Sequence, residues 1–227
     1  MAPAVHHTVA CWPEPGVYLL MSSTDTYTTI ATASSGEYAE KRSKFLAFAH
    51  PVRTTDEVKD LVERYQKQYY DARHCCYAYM LGHERKLFRA NDNGEPSGTA
   101  GKPILGQINS NGLTDILIVV VRYFGGIKLG TSGLIQAYKA AAAEALAAAT
   151  FVEKTVDAQL AFSFEYPFMN QVMRIVKDTG AAILAQGYDT DCTMTLSIRS
   201  GQLESLRARL VKVDTLRLAD EGESALP

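Results

Sequence analysis

The segment from Leu113 to Val121 is nearly all branched apolar residues, and it constrains the fold more than any other stretch. Such a strand has no polar face to offer water, so it belongs in the middle of a sheet and is buried on both sides. Arg122-Tyr123-Phe124-Gly125-Gly126 breaks the run. Alanine then dominates from Thr131 to Ala149, with Leu134, Ile135, Tyr138 and Leu146 among it. Alanine has the best intrinsic helix propensity, so a helix is predicted there, and its small face lets it lie close to a sheet.

Upstream, the pattern predicts strands over 27–33, 44–52, 74–81 and 86–90. Ser34-Ser35-Gly36 reads as a turn. Thr54 and Glu57 stand at capping-box spacing before a helix whose buried face carries Val58, Leu61, Val62 and Tyr65, ending near Tyr70. Pro103 suits the first turn of a second helix, stopped by Asn111-Gly112. After Thr150 the pattern restarts: a long strand over 152–166, a helix over 168–177, strands over 181–188 and 192–198, a helix over 202–211 and a short strand near 215–218. Strand-helix-strand-strand-helix-strand is the ferredoxin-like order. The chain is therefore expected to be α+β, with an N-terminal domain over 21–152 and a ferredoxin-like C-terminal domain over 153–219. Residues 1–20 read as a disordered extension, with Met21 a candidate start, and 220–227 as a tail.

Composition narrows the function. The 227 residues carry a formal net charge of -2, so nonspecific coating of duplex nucleic acid is disfavoured, although a local basic patch is not. Four cysteines, Cys11, Cys75, Cys76 and Cys192, show no metal-ligand spacing and read as reduced, mostly buried thiols of a cytoplasmic protein. No run reaches the roughly 18 apolar residues that a membrane span needs. No secretory signal is evident either, since no clean apolar stretch follows His6 and His7. No metal site is expected, and the sequence leaves any cofactor unknown.

Two glycine-rich segments, Asp92 to Pro103 and Arg122 to Gly133, each follow a predicted strand and lead into a helix. Amides at a helix start are unpaired and carry partial positive charge, and glycine lets backbone approach a ligand closely. A phosphate or other anion is expected to meet Gly98, Gly101, Gly125 and Gly126, with hydroxyls from Ser97, Thr99 and Thr131 and cations from Lys102, Arg122 and Lys128. Arg73, His74, Asp92, Glu95 and Tyr123 complete the candidate set. The competing account is that these glycines serve only turns and caps. Neither segment matches a Walker, Rossmann or serine-hydrolase motif. His74 and Cys76 would project in parallel from one strand face, a poor arrangement for activating a thiol. Asp92 and Glu95 could act as acid and base, but Asp in an Asn-rich turn more often bonds its own backbone. The 12 tyrosines, Tyr123 among them, could stack on unpaired bases or simply pack the core.

Lys41-Arg42-Ser43-Lys44-Phe45, His74-Cys75-Cys76-Tyr77-Ala78-Tyr79, the Gly94–Leu105 segment and the Val121–Gly130 segment with Leu134 and Tyr138 together resemble the YigZ/IMPACT family. The resemblance covers about residues 27–218. It implies an N-terminal domain of the fold shared by a small-subunit ribosomal protein, domain IV of elongation factor G and the GHMP kinases. It also implies a ferredoxin-like C-terminal domain similar to domain V of elongation factor G. Both parallels imply RNA or the ribosome as partner. Eukaryotic relatives regulate translation initiation by competing for an activator of a stress kinase. That mechanism uses a further N-terminal domain and is not expected here, though a protein partner in translation control is. The chain departs from the family pattern at Gln136, where a basic residue is usual, and at Ser132, where Gly is frequent. Both changes weaken the positive field at the start of the Ala-rich helix. Other outcomes are an enzyme acting on a phosphorylated small molecule and a protein-interaction module with no chemical site.

Overall fold

The computed structural model describes residues 25–219. The expected extension at 1–20, the tail at 220–227 and Cys11 lie outside the described residues. The fold is α+β, built on a five-stranded sheet, a four-stranded sheet and a two-stranded ribbon.

The five-stranded sheet has the order β2 (Ser34–Glu40), β3 (Ser43–Pro51), β6 (Ile116–Tyr123), β4 (His74–Leu81), β5 (Leu87–Asn91). Strand β6 is central, as its composition demands: Ile116, Ile118 and Val120 face one layer, and Leu117, Val119 and Val121 the other. The first layer is α2 (Gly101–Ser110) and α3 (Gly130–Ala147), with Ala137, Ala141 and Ala145 of α3 packed flat on the sheet. The second is α1 (Thr55–Gln68), which buries Val58, Val62 and Tyr65. The Thr54 hydroxyl caps α1 by accepting from the Glu57 amide at 3.2 Å, and Glu57 reaches back to the Arg53 amide at 2.7 Å.

Residues 34–36 are not a turn but the start of β2. As an edge strand, β2 turns Ser34, Gly36, Tyr38 and Glu40 inward only halfway, so it carries no apolar alternation to read. Arg122 and Tyr123 continue β6 rather than breaking it, because both pair with β3.

The predicted strand over 152–166 is two strands. β7 (Phe151–Thr155) pairs with β1 (Thr26–Ile30), while β8 (Asp157–Phe164) joins the second sheet. Between them the Val156 amide donates to the Asp25 carbonyl at 2.7 Å and the Val156 carbonyl accepts from the Ser200 amide at 2.9 Å. The four-stranded sheet has the order β11 (Arg217–Leu218), β8, β10 (Cys192–Arg199), β9 (Ala182–Tyr188). Helices α4 (Met169–Thr179) and α5 (Leu203–Leu210) cover one face, closing a core of Leu160, Phe162, Phe164, Val172, Met194, Leu196 and Leu206. Gly180, at φ 70°, ends α4 in the left-handed cap that a side chain would strain.

Candidate functional site

The two glycine-rich segments meet at one end of the five-stranded sheet, where β4 begins, β6 ends, and His74 pairs with Arg122. The first is folded around Asp92. Its carboxylate accepts from the amides of Gly98 at 2.8 Å, Ala100 at 2.9 Å and Gly101 at 2.8 Å. These are the amides at the start of α2 that an anion would seek, and the chain's own carboxylate holds them. Burial alone would raise the Asp92 carboxyl; the three amides and the Lys102 charge outweigh it and hold it below the usual carboxylate range. Gly101 sits against the Asn91 backbone with no room for a Cβ. The Thr99 hydroxyl is buried and donates to the Pro96 carbonyl at 2.7 Å. In this segment the glycine and hydroxyl pattern serves turn and cap, while Ser97 and Lys102 stay exposed.

Arg122 requires a correction. It is not a cation waiting for a guest: only 5% exposed, it ends 2.6 Å from Glu95 Oε1. Phe45 and Phe124 flank its guanidinium, with ring centroids 5.5 and 5.6 Å away. A buried guanidinium persists only with a paired acceptor, and Glu95, itself enclosed, supplies it. The Tyr138 hydroxyl donates to the same oxygen at 2.9 Å. The Cys76 thiol donates to the Asp92 carbonyl at 2.9 Å and lies 3.3 Å from the Tyr138 hydroxyl. His74 Nδ1 is 2.9 Å from the Asn93 carbonyl, and Nε2 is 3.9 Å from Glu95. The candidate set drawn from the sequence left out Tyr138 and Cys76, which close this network: Cys76 was weighed only as a thiol nucleophile beside His74, and Tyr138 only as part of the Ala-rich helix and the family signature.

Burial pushes the Cys76 thiol up to about 12 and the Cys75 thiol up to about 11, so neither is a thiolate at neutral pH. Burial, with Cys76 and Glu95 beside it, also pushes the Tyr138 hydroxyl up. Among the described residues no group of three or more His, Cys, Asp and Glu side chains is placed to hold a metal. The network locks two loops and a helix to the sheet and presents no activated nucleophile.

The second segment is different. Helix α3 starts with no side-chain cap and no acidic residue in its first turn, and Thr131 and Ser132 are exposed there. Lys128 precedes them, exposed, and Arg73 is exposed at the start of β4. The tip of the β2–β3 hairpin joins them. Lys41 and Arg42 form its two-residue turn, with φ 46° and 68°. Positive φ at both positions marks the turn type that suits a tight hairpin, and side chains other than Gly, Asn or Asp rarely occupy it. The tip packs on Gly125, where a Cβ would collide with the Arg42 backbone, and the Gly125 amide donates to Ser43 Oγ at 3.2 Å. Lys41 and Arg42 were missing from the sequence-derived set; with no strand recognised over 34–40, their hairpin went unseen. Tyr123 borders this edge and donates to Asp71 at 2.9 Å. Phe124 and Ile127 are each 44% exposed on it.

Residues 41–146 match the Impact N-terminal domain model. The chain is 35% identical to the IMPACT family member YvyE of Bacillus subtilis over 153 residues, which is 67% of this chain and 70% of that protein. It is 31% identical to the IMPACT family member YigZ of Escherichia coli over 172 residues, covering 75% and 84%. The chain belongs to the IMPACT family. A solved structure described as a hypothetical protein superposes on this IMPACT-family chain with a TM-score of 0.67 at 29% identity, covering 88% of this chain and 100% of that one. No helix among the described residues is long and apolar enough to cross a membrane.

Proposed function

We propose that this IMPACT-family protein is a regulatory protein associated with RNA or the ribosome and linked to the control of translation. The link to translation rests on family membership. The contact with RNA rests on one observation: Lys41 and Arg42 at the hairpin tip, Arg73 before β4 and Lys128 before α3 stand on loops at the same end of the five-stranded sheet, exposed and without ion pairs among the described residues. Exposed Phe124 beside them offers a face for an unpaired base. Phosphate contact therefore falls to the hairpin tip and to the segment before α3, where amides and cations are unoccupied. It does not fall to the Asp92 loop, where an internal carboxylate already sits.

The test is binding of a fluorescent single-stranded RNA oligomer across a salt series, for the wild type and for Arg42→Glu with Lys128→Glu. The double variant is expected to bind at least about tenfold more weakly, with a salt slope shallower by about 1.4, roughly 0.7 for each lost phosphate contact on a single strand. Equal affinity and equal slope would remove this edge from the function. Arg122→Ala is not a test of contact, because it breaks a buried pair.

A further inference from the structure

Strand β9 is the outermost strand of the four-stranded sheet and pairs with β10 alone. Exposed edges are usually blunted by charge, by proline or by a covering element, because their free amides and carbonyls template further pairing. From Ala181 to Tyr188 the chain has no charged residue and no proline. Ile183, Leu184 and Tyr188 are 39, 52 and 59% exposed, and Met173 of α4, 38% exposed, lines a groove with Ala181 at the start of the strand. A register shift leaves Leu184 without a partner in β10, so the regular edge runs from Ala185 to Tyr188.

Charge at the two ends of this strand says what fits it. At its start, Arg174 and Lys177 line a groove with Met173, Gly180 and Ala181. At its end stand exposed Asp189 and Asp191. None of these four charges has an ion pair among the described residues, and the neighbouring Asp178 is already held by Arg209 at 2.9 Å. A strand that is basic at one end and acidic at the other complements an inverted copy of itself. Antiparallel pairing about a two-fold axis brings each acidic end to the other copy's basic end, whereas parallel pairing would set like charges together. Such an interface is isologous and closes at two copies.

We propose that β9 is a dimerisation edge: two copies of this chain pair antiparallel along it, joining two four-stranded sheets into one, with Asp189 and Asp191 of one copy facing Arg174 and Lys177 of the other. The contact is one strand and its flanks, smaller than a permanent interface, so dimer and monomer exchange with concentration.

Sedimentation velocity of the full chain from about 1 to about 200 µM tests this. The wild type is expected to move from one to two copies within that range. Leu184→Lys, an exposed change that leaves the core intact, is expected to weaken the dimer at least tenfold. Lys177→Asp is expected to weaken it several-fold, and adding Asp189→Lys to restore it; this pair keeps the test intact should Leu184→Lys fail to fold. A wild type that stays monomeric throughout overturns the proposal and leaves the edge to a strand of another protein. A dimer unmoved by Leu184→Lys and by Lys177→Asp overturns it too, by placing the contact elsewhere.

Discussion

At the scale of single residues, the contrast between Arg122 and Arg42 shows what a one-dimensional string conceals. Both are arginines at the same end of the five-stranded sheet, yet one is sealed against Glu95 and the other stands at an exposed tip. Nothing in residues 122–126 announces that Glu95, 27 positions earlier, ends 2.6 Å away. Arg122→Met is expected to cost about 3 kcal/mol, because Glu95 is left buried and unpaired, and adding Glu95→Gln to recover part of that loss. Urea denaturation of the two variants checks it. His50 gives a pH-dependent counterpart. Burial, with Arg64 nearby, lowers its pKa below the ordinary value of 6.5, and its Nε2 shares a 2.7 Å hydrogen bond with the Tyr65 hydroxyl. A lowered folded value means that the neutral ring stabilises the fold above about pH 6.5, and that this contribution disappears as pH falls through the folded pKa. The urea midpoint is expected to fall between pH 7 and pH 5, and His50→Asn to flatten that fall.

At the scale of elements, β6 and α3 were legible because each is dictated by composition alone, an unbroken branched run and an alanine tract. The α2 start was legible as a place for an anion. That Asp92 would bond its own backbone was legible from its Asn-rich turn; that it would fill the α2 start was not, because the loop's path brings Ala100 and Gly101, eight and nine residues further on, back to the carboxylate. The β2–β3 hairpin was illegible for the opposite reason: an edge strand of Ser, Gly, Tyr and Glu positions leaves little apolar periodicity. Helix α3 also separates stability from contact. Ser132→Glu puts a carboxylate in an uncapped first turn and is expected to stabilise the helix by about 0.5 kcal/mol through the dipole. The same charge repels phosphate, so RNA affinity should fall as the melting temperature rises slightly. Loss of both would mean that the change damages the fold and says nothing of contact.

At the scale of the whole molecule, the buried residues form distinct cores on either side of β7 and Val156: two on the faces of the five-stranded sheet and one under α4 and α5. The link between them is slight. The β1–β7 ribbon runs into it, the Asp25 carbonyl takes the Val156 amide, the Val156 carbonyl takes the Ser200 amide, and the Asp25 carboxylate takes the Gly201 amide at 2.6 Å. A link this thin predicts two cooperative units whose coupling passes through Asp25. Asp25→Ala removes the side-chain bond to Gly201 and leaves both sets of apolar contacts untouched. Amide exchange in β8 and β10 is therefore expected to quicken several-fold, while β6, enclosed by its own two layers, keeps its wild-type protection. If β6 quickened in step with β10, the chain would unfold as one unit, and Asp25 would be a support of the whole fold and not the joint between its parts.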